Sequence, residues 1–123
     1  MSAGVQETDF VLVLVRDLAQ AQEFYGGTLG LERAPSSGDR WVEYETGNLT
    51  LSLTEPETVG QEFRPQAGIA LRVADVDEAR ERLIANGVEF PMGTIDSGVC
   101  RMAPFVDPDG NGLLLHRRYA PRG

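Results

Sequence analysis

The sequence predicts an α+β fold made of two βαβββ modules, and three observations predict it. Residues 11–32, VLVLVRDLAQAQEFYGGTLGLE, align with residues 69–89, IALRVADVDEARERLIANGVE, once one gap is allowed, which places Asp17 on Asp75 and Gly30 on Gly87. Each copy carries a helix-start signal at the same point. Each is followed by three short stretches of strand character separated by turn residues. A repeat of this kind describes one supersecondary unit used twice.

The opening stretch of each copy alternates like a strand. In the second, Ile69, Leu71 and Val73 share one face while Ala70 and Arg72 share the other. Asp17 and Asp75 then stand where a helix N-cap belongs, with Gln20 and Glu78 three residues on, a spacing that satisfies otherwise unpaired amide donors. The first helix is expected to bury Leu18, Ala21, Phe24, Tyr25 and Leu29. The second is expected to bury Val76, Ala79, Leu83 and Ile84. Gly30 and Asn86-Gly87 tolerate the left-handed geometry that ends a helix. Strands are then expected at 31–35, 40–46 and 48–54 in the first module and at 88–91, 99–106 and 112–118 in the second. The joining turns are Ser36-Ser37-Gly38-Asp39, Thr46-Gly47-Asn48 and Asp107-Pro108-Asp109-Gly110-Asn111. Module one spans about 8–54 and module two about 68–118. The stretch 55–67, polar, with two prolines and no periodicity, reads as the linker of a single domain.

Composition narrows the function. The 123 residues carry a formal net charge of −8, one His and one Cys. A chain of this size buries a core without disulfide staples, and Cys100 alone cannot form an intrachain disulfide. One His and one Cys cannot assemble a His/Cys-rich zinc site. The acidic balance argues against nucleic acid, whose affinity comes largely from phosphate neutralisation. No apolar run approaches the length of a membrane helix, and residues 1–10 do not read as a signal peptide, so the cytoplasm is the expected location. All eleven basic residues are Arg, which has no mechanistic weight.

The run Val13-Leu14-Val15-Arg16-Asp17-Leu18, then Phe24-Tyr25, then Leu29-Gly30-Leu31-Glu32, together with the closing Asp107-Pro108-Asp109-Gly110-Asn111, resembles the vicinal oxygen chelate superfamily of glyoxalases, extradiol dioxygenases and fosfomycin- and bleomycin-resistance proteins. The likeness runs from about residue 8 to residue 118. It implies that the modules form a cup-shaped mixed sheet with the helices outside, that the concave face holds a ligand, and that the chain works as a homodimer. The superfamily's metalloenzymes place four ligands, mostly His and Glu, on inward strand faces. Those positions match Phe10, Ser52 (within one residue), Gly68 and Leu114. None is a metal ligand of the usual kind, so the resemblance implies a metal-free member without a cofactor.

If the opening strand keeps the superfamily orientation, Phe10, Leu12 and Leu14 face the cup with Thr50, Ser52, Ala70, Leu114 and His116. Apolar walls with sparse polar groups suit an organic ligand; the same residues could instead fill the cup as core. Trp41 and Tyr44 point to opposite sheet faces, and Trp41 could stack on an aromatic guest or pack at an edge or dimer interface. Arg72 and Arg101 could bind an anionic group or pair with a neighbouring carboxylate. His116, with Glu43, Glu45 and Asp9, could build an unconventional metal site, or serve as a packing residue, a polar lining group or a general base. Cys100 would need an activating base to act as a nucleophile and otherwise reads as a small core residue. The Asp107–Asn111 turn reads as a structural hairpin rather than a calcium loop.

The reading favoured by the sequence is a metal-free small-molecule binding protein resembling the bleomycin-resistance branch, sequestering an aromatic or amphipathic compound. Phe10, Leu12, Trp41, Ser52, Leu114, Arg72 and His116 are its candidate contacts. Two alternatives stay open: a glyoxalase- or dioxygenase-like metalloenzyme with displaced ligands, and a metal-free isomerase or lyase with His116 as general base.

Overall fold

The computed structural model describes residues 2–122. By its internal contacts the chain divides into two units, one ending at Phe63 and the other beginning at Arg64. Each is built as βαβββ.

In the first unit, β1 (Phe10–Leu14) leads into α1 (Leu18–Gln22), then β2 (Glu32–Arg33), β3 (Trp41–Glu45) and β4 (Thr50–Thr54). The strand order is β1-β4-β3-β2, with β1 parallel to β4 and the other pairs antiparallel. In the second unit, β5 (Ile69–Arg72), α2 (Val76–Ala85), β6 (Ile95–Asp96), β7 (Cys100–Val106) and β8 (Gly112–Arg118) repeat that plan in the order β5-β8-β7-β6. Here too the one parallel pair joins the first strand to the last.

The helix starts are the predicted ones. The Asp17 carboxylate accepts from the Gln20 amide at 3.1 Å, and the Asp75 carboxylate accepts from the Glu78 amide at 3.0 Å. Helix α2 ends with the Val88 amide donating to Leu83 O and the Gly87 amide to Ile84 O, both at 3.0 Å, with Gly87 at φ 90°. These are the two bonds of a Schellman closure, with Leu83 and Val88 buried together beneath it. Helix α1 instead widens into a π-helical turn, Glu23–Thr28, in which the Leu29 amide reaches back five residues to Phe24 O. Gly26 allows this turn to sit against Tyr44: a Cβ there would come within 3.3 Å of the phenol oxygen.

Each helix covers one face of its own sheet. Leu18, Ala21 and Tyr25 are buried on the side of Val13, Val42, Tyr44, Leu51 and Leu53, and the rings of Tyr25 and Tyr44 stack with centroids 6.5 Å apart. Val76 and Leu83 are buried on the side of Ala103, Phe105, Leu113 and Leu115. Burying one large apolar side chain contributes about 1.5–3 kcal/mol, so these two layers are the main source of stability.

Two sequence expectations are corrected. Ile84 is exposed, while Phe24, Leu29 and Ala79 are only half-buried. The stretch 88–91 is not a strand, because the Val88 amide closes α2, Pro91 has no N–H, and Phe90 packs on Phe105 at 5.2 Å; the edge strand forms later, as Ile95–Asp96 against Arg101 and Met102. The linker stretch 55–67 carries ordered structure of its own. Glu55 accepts from the Leu18 amide at 3.0 Å, Pro56–Val59 forms a 3-10 turn, and the Arg16 guanidinium lies 3.8 Å from the centre of the Phe63 ring.

The turn before β8 is closed by its own side chains. Asp107 accepts from the amides of Asp109 and Asn111 at 2.8 and 2.9 Å and from the Asn111 side-chain amide at 2.8 Å. Asn111, fully buried, accepts in turn from the Gln66 amide at 2.9 Å. The carboxylate that could have suggested calcium is engaged in holding the hairpin.

Candidate functional site

The strand registers decide which residues share the sheet face that each helix leaves uncovered. In the first unit Phe10 pairs with Thr50, Leu12 with Ser52 and Leu14 with Thr54. Across the next ladder Thr54 pairs with Trp41, Ser52 with Glu43 and Thr50 with Glu45. Side chains directly opposite one another point to the same face. Phe10, Leu12, Trp41 and Ser52, all named from sequence, are therefore brought onto one face together with Glu43.

That face has a built centre. The Phe10 and Trp41 rings meet edge to face with centroids 5.3 Å apart and planes at 88°. Phe10 remains 41% exposed and Trp41 and Glu43 half-exposed, so the pair is accessible rather than sealed in a core. The Glu43 carboxylate accepts from Ser36 Oγ at 2.5 Å, from Trp41 Nε1 at 3.2 Å and from Ser52 Oγ at 3.4 Å. The Ser36 hydroxyl, then the Trp41 indole N–H, hold the Glu43 carboxyl below the usual carboxylate range. Ser52 is fully buried behind this network.

In the second unit the register pairs Ala70 with Leu114 and Arg72 with His116, while Pro104 and Met102 flank Leu114 and His116 from the other side. Leu114 and His116 are half-buried and Arg72 is exposed. These three predicted residues also share one uncovered face. Cys100 is on the same face but pairs in register with Arg118, one diagonal step from His116. Arg101 points the other way, toward α2, where it lies 3.5 Å from Asp96 and 3.7 Å from Asp77. Of its two readings, pairing with carboxylates is the one observed.

The residues at the four positions where the resemblance expects metal ligands do not fit a metal ion. Phe10, Gly68 and Leu114 carry no donor, and the Ser52 hydroxyl donates to Glu43. Among the described residues no group of three or more His, Cys, Asp and Glu is placed to hold one. Glu43, considered from sequence only as a displaced metal ligand, proves to be the hydrogen-bonding partner of Trp41. The two-residue spacing of Trp41 and Glu43 on one strand was the signal available for this.

A polar cleft of about 390 Å³ also opens in the first unit, lined by Leu18, Asp39, Arg40, Glu55, Glu57 and Thr58. None of the predicted contacts lines it. Among the described residues no helix is long and apolar enough to cross a membrane.

A profile of the Glyoxalase/Bleomycin resistance protein/Dioxygenase superfamily matches residues 8–115. The chain belongs to this superfamily. Solved structures agree. A superfamily member from Sphaerobacter thermophilus is 26% identical with a TM-score of 0.76, over 91% of this chain and 97% of its own. An antibiotic binding protein from a Streptomyces species is 25% identical with a TM-score of 0.79, over 96% of this chain and all of its own. A lactoylglutathione lyase from Agrobacterium tumefaciens, 19% identical with a TM-score of 0.77 over 91% and 93% of the two chains, shares the fold. No curated protein matches the chain in sequence.

Proposed function

We propose that this superfamily member is a metal-free small-molecule binding protein that sequesters an aromatic or amphipathic compound. One observation carries the reading: the Phe10–Trp41 pair stands half-exposed on a sheet face, held by the Glu43 network, with Phe10 at the position where the resemblance expects a first metal ligand. A fixed aromatic edge and face give a flat guest a large contact area at little cost in side-chain freedom. Leu12 is the neighbouring contact on the first unit's face, with Ser52 buried behind it as an anchor for Glu43; Arg72, Leu114 and His116 are the proposed contacts on the second's, with Arg72 and His116 orienting polar groups. The likeness to an antibiotic binding protein supports a binding role. Cytoplasmic action as a homodimer belongs to the same proposal.

Thermal-shift screening against aromatic natural products tests it, because a ligand that binds only the folded state raises its melting temperature. Stabilisation by at least one aromatic class is expected in protein stripped with a chelator. Absence of any shift across a broad panel, or one tightly held divalent ion per chain in protein purified without chelators, would overturn the reading.

A further inference from the structure

The fixed carboxylate beside the aromatic pair says more about the guest. We infer that the Trp41 face takes a cationic aromatic compound, its ring against Trp41 and Phe10 and its cationic group beside the Glu43 carboxylate; this rests on the binding role proposed above.

The geometry is specific to such a guest. Trp41 Nε1 is committed to Glu43 at 3.2 Å, which fixes the half-exposed indole beside the carboxylate. An indole face is the strongest of the aromatic side chains in attracting a cation. The Glu43 carboxylate receives three hydrogen bonds. An ionised carboxylate offers about four acceptor sites, so three donors leave it able to face a ligand cation. Its anchor is rigid, because Ser52 is fully buried and Ser37 locks the adjoining backbone, donating to Glu43 O at 3.2 Å and accepting from its amide at 2.9 Å.

The surrounding charge has the same sign. Glu45 stands on this face and pairs across the β2–β3 ladder with Glu32, a like-charge neighbour that a cation nearby would relieve. No arginine of β1–β4 shares the face: Arg33 pairs with Tyr44 and points to the other side. A neutral ring would gain only the stacking, and an anionic one would be repelled.

Three acridines of nearly equal shape separate the contributions: 10-methylacridinium, acridine at pH 8, and acridine-9-carboxylate, titrated at 150 mM salt with calorimetry and quenching of Trp41 fluorescence. Salt at that level screens the net charge beyond about 8 Å, leaving local contacts dominant. The cation is expected to bind about tenfold tighter than neutral acridine, in the range of a partly desolvated cation–π and charge pair. Glu43→Gln should abolish the cation's advantage, bringing the ratio of the two affinities to about one. Glu81→Gln, on the exposed helix of the other unit, removes the same formal charge and should leave the preference intact. Equal binding of cation and neutral ring by the unsubstituted protein, or a preference that survives Glu43→Gln, overturns this inference while leaving the aromatic binder standing. Binding of none of the three overturns the inference; the broad thermal-shift panel then decides separately whether the chain binds aromatic compounds at all.

Discussion

Trp41 and Phe10 lie on different strands, neither adjacent to the other in the sheet, yet their rings meet edge to face with centroids 5.3 Å apart. The β4 strand between them carries Ser52 and Thr54 on this face, side chains short enough to let the two aromatics reach over it. Trp41→Leu should therefore lower affinity for an aromatic ligand at least tenfold while costing less than about 1 kcal/mol of stability, because the indole is half-exposed. Calorimetric titration with a thermal-shift hit, beside urea unfolding of both proteins, checks the two halves of this expectation. A loss of stability without loss of binding would assign Trp41 to packing.

Gly112 begins β8 with its amide donating to Gln66 O at 2.9 Å, and a Cβ there would lie 2.1 Å from Ala67 O. Backbone cannot yield as a flexible side chain does. Gly112→Ala should destabilise by about 2–4 kcal/mol, in the range of overpacking combined with a lost hydrogen bond. Gly68→Ala is the control, since its Cβ would meet only Leu114 Cδ2 at 3.8 Å. Urea midpoints of the two variants should differ clearly, and equal midpoints would contradict the close approach.

Asp107 is the acceptor for three donors around the β8 turn, of which the Asn111 amides are buried. Asp107→Ala should cost about 2–4 kcal/mol, because it strands donors that water cannot reach. Millimolar calcium should leave the melting temperature of the unsubstituted protein unchanged. A rise with calcium would reassign the turn as a cation loop.

The Glu43 carboxyl is held below the usual carboxylate range, first by the Ser36 hydroxyl and then by the Trp41 N–H. A lowered folded-state value means that folding favours the ionised form. The associated stabilisation is complete above the ordinary carboxylate range and is lost as pH falls through the lowered value. Ser36→Ala should move the Glu43 titration upward, read from its side-chain carboxyl carbon by NMR. Titration of Glu43 at or above an ordinary glutamate in the unsubstituted protein would contradict the network.

Much of this was legible in the sequence because local rules and the tertiary fold agree. The Asp17 and Asp75 caps, the parity that puts Phe10 and Leu12 on one face of β1, and the Asp107–Asn111 hairpin all follow from spacing that the fold does not override, whereas the register decides that Trp41 rather than Tyr44 joins them. The misplaced strand at 88–91 shows the limit: its residues have strand character, but the Val88 amide is taken by the end of α2 and Phe90 by a ring contact. Glu55 falls in the linker stretch, where nothing local reveals that its carboxylate caps a helix 37 residues earlier. Glu43 was visible only as a charge; its role depends on Ser36 and Ser52 arriving from a turn and a neighbouring strand. Sequence periodicity gives a face, whereas the identity of a hydrogen-bond partner depends on register.

On the proposed function, the accessible face around Trp41 binds an aromatic guest without a metal. Trp41 is the chain's single tryptophan, so its fluorescence reports on that face alone. Titrating chelator-treated protein with an aromatic compound selected by thermal shift should quench this emission saturably, with one guest per chain and no change on adding zinc, manganese or iron(II). Quenching that appears only after a divalent metal is restored, or a guest that stabilises the protein without altering Trp41 emission, would contradict it.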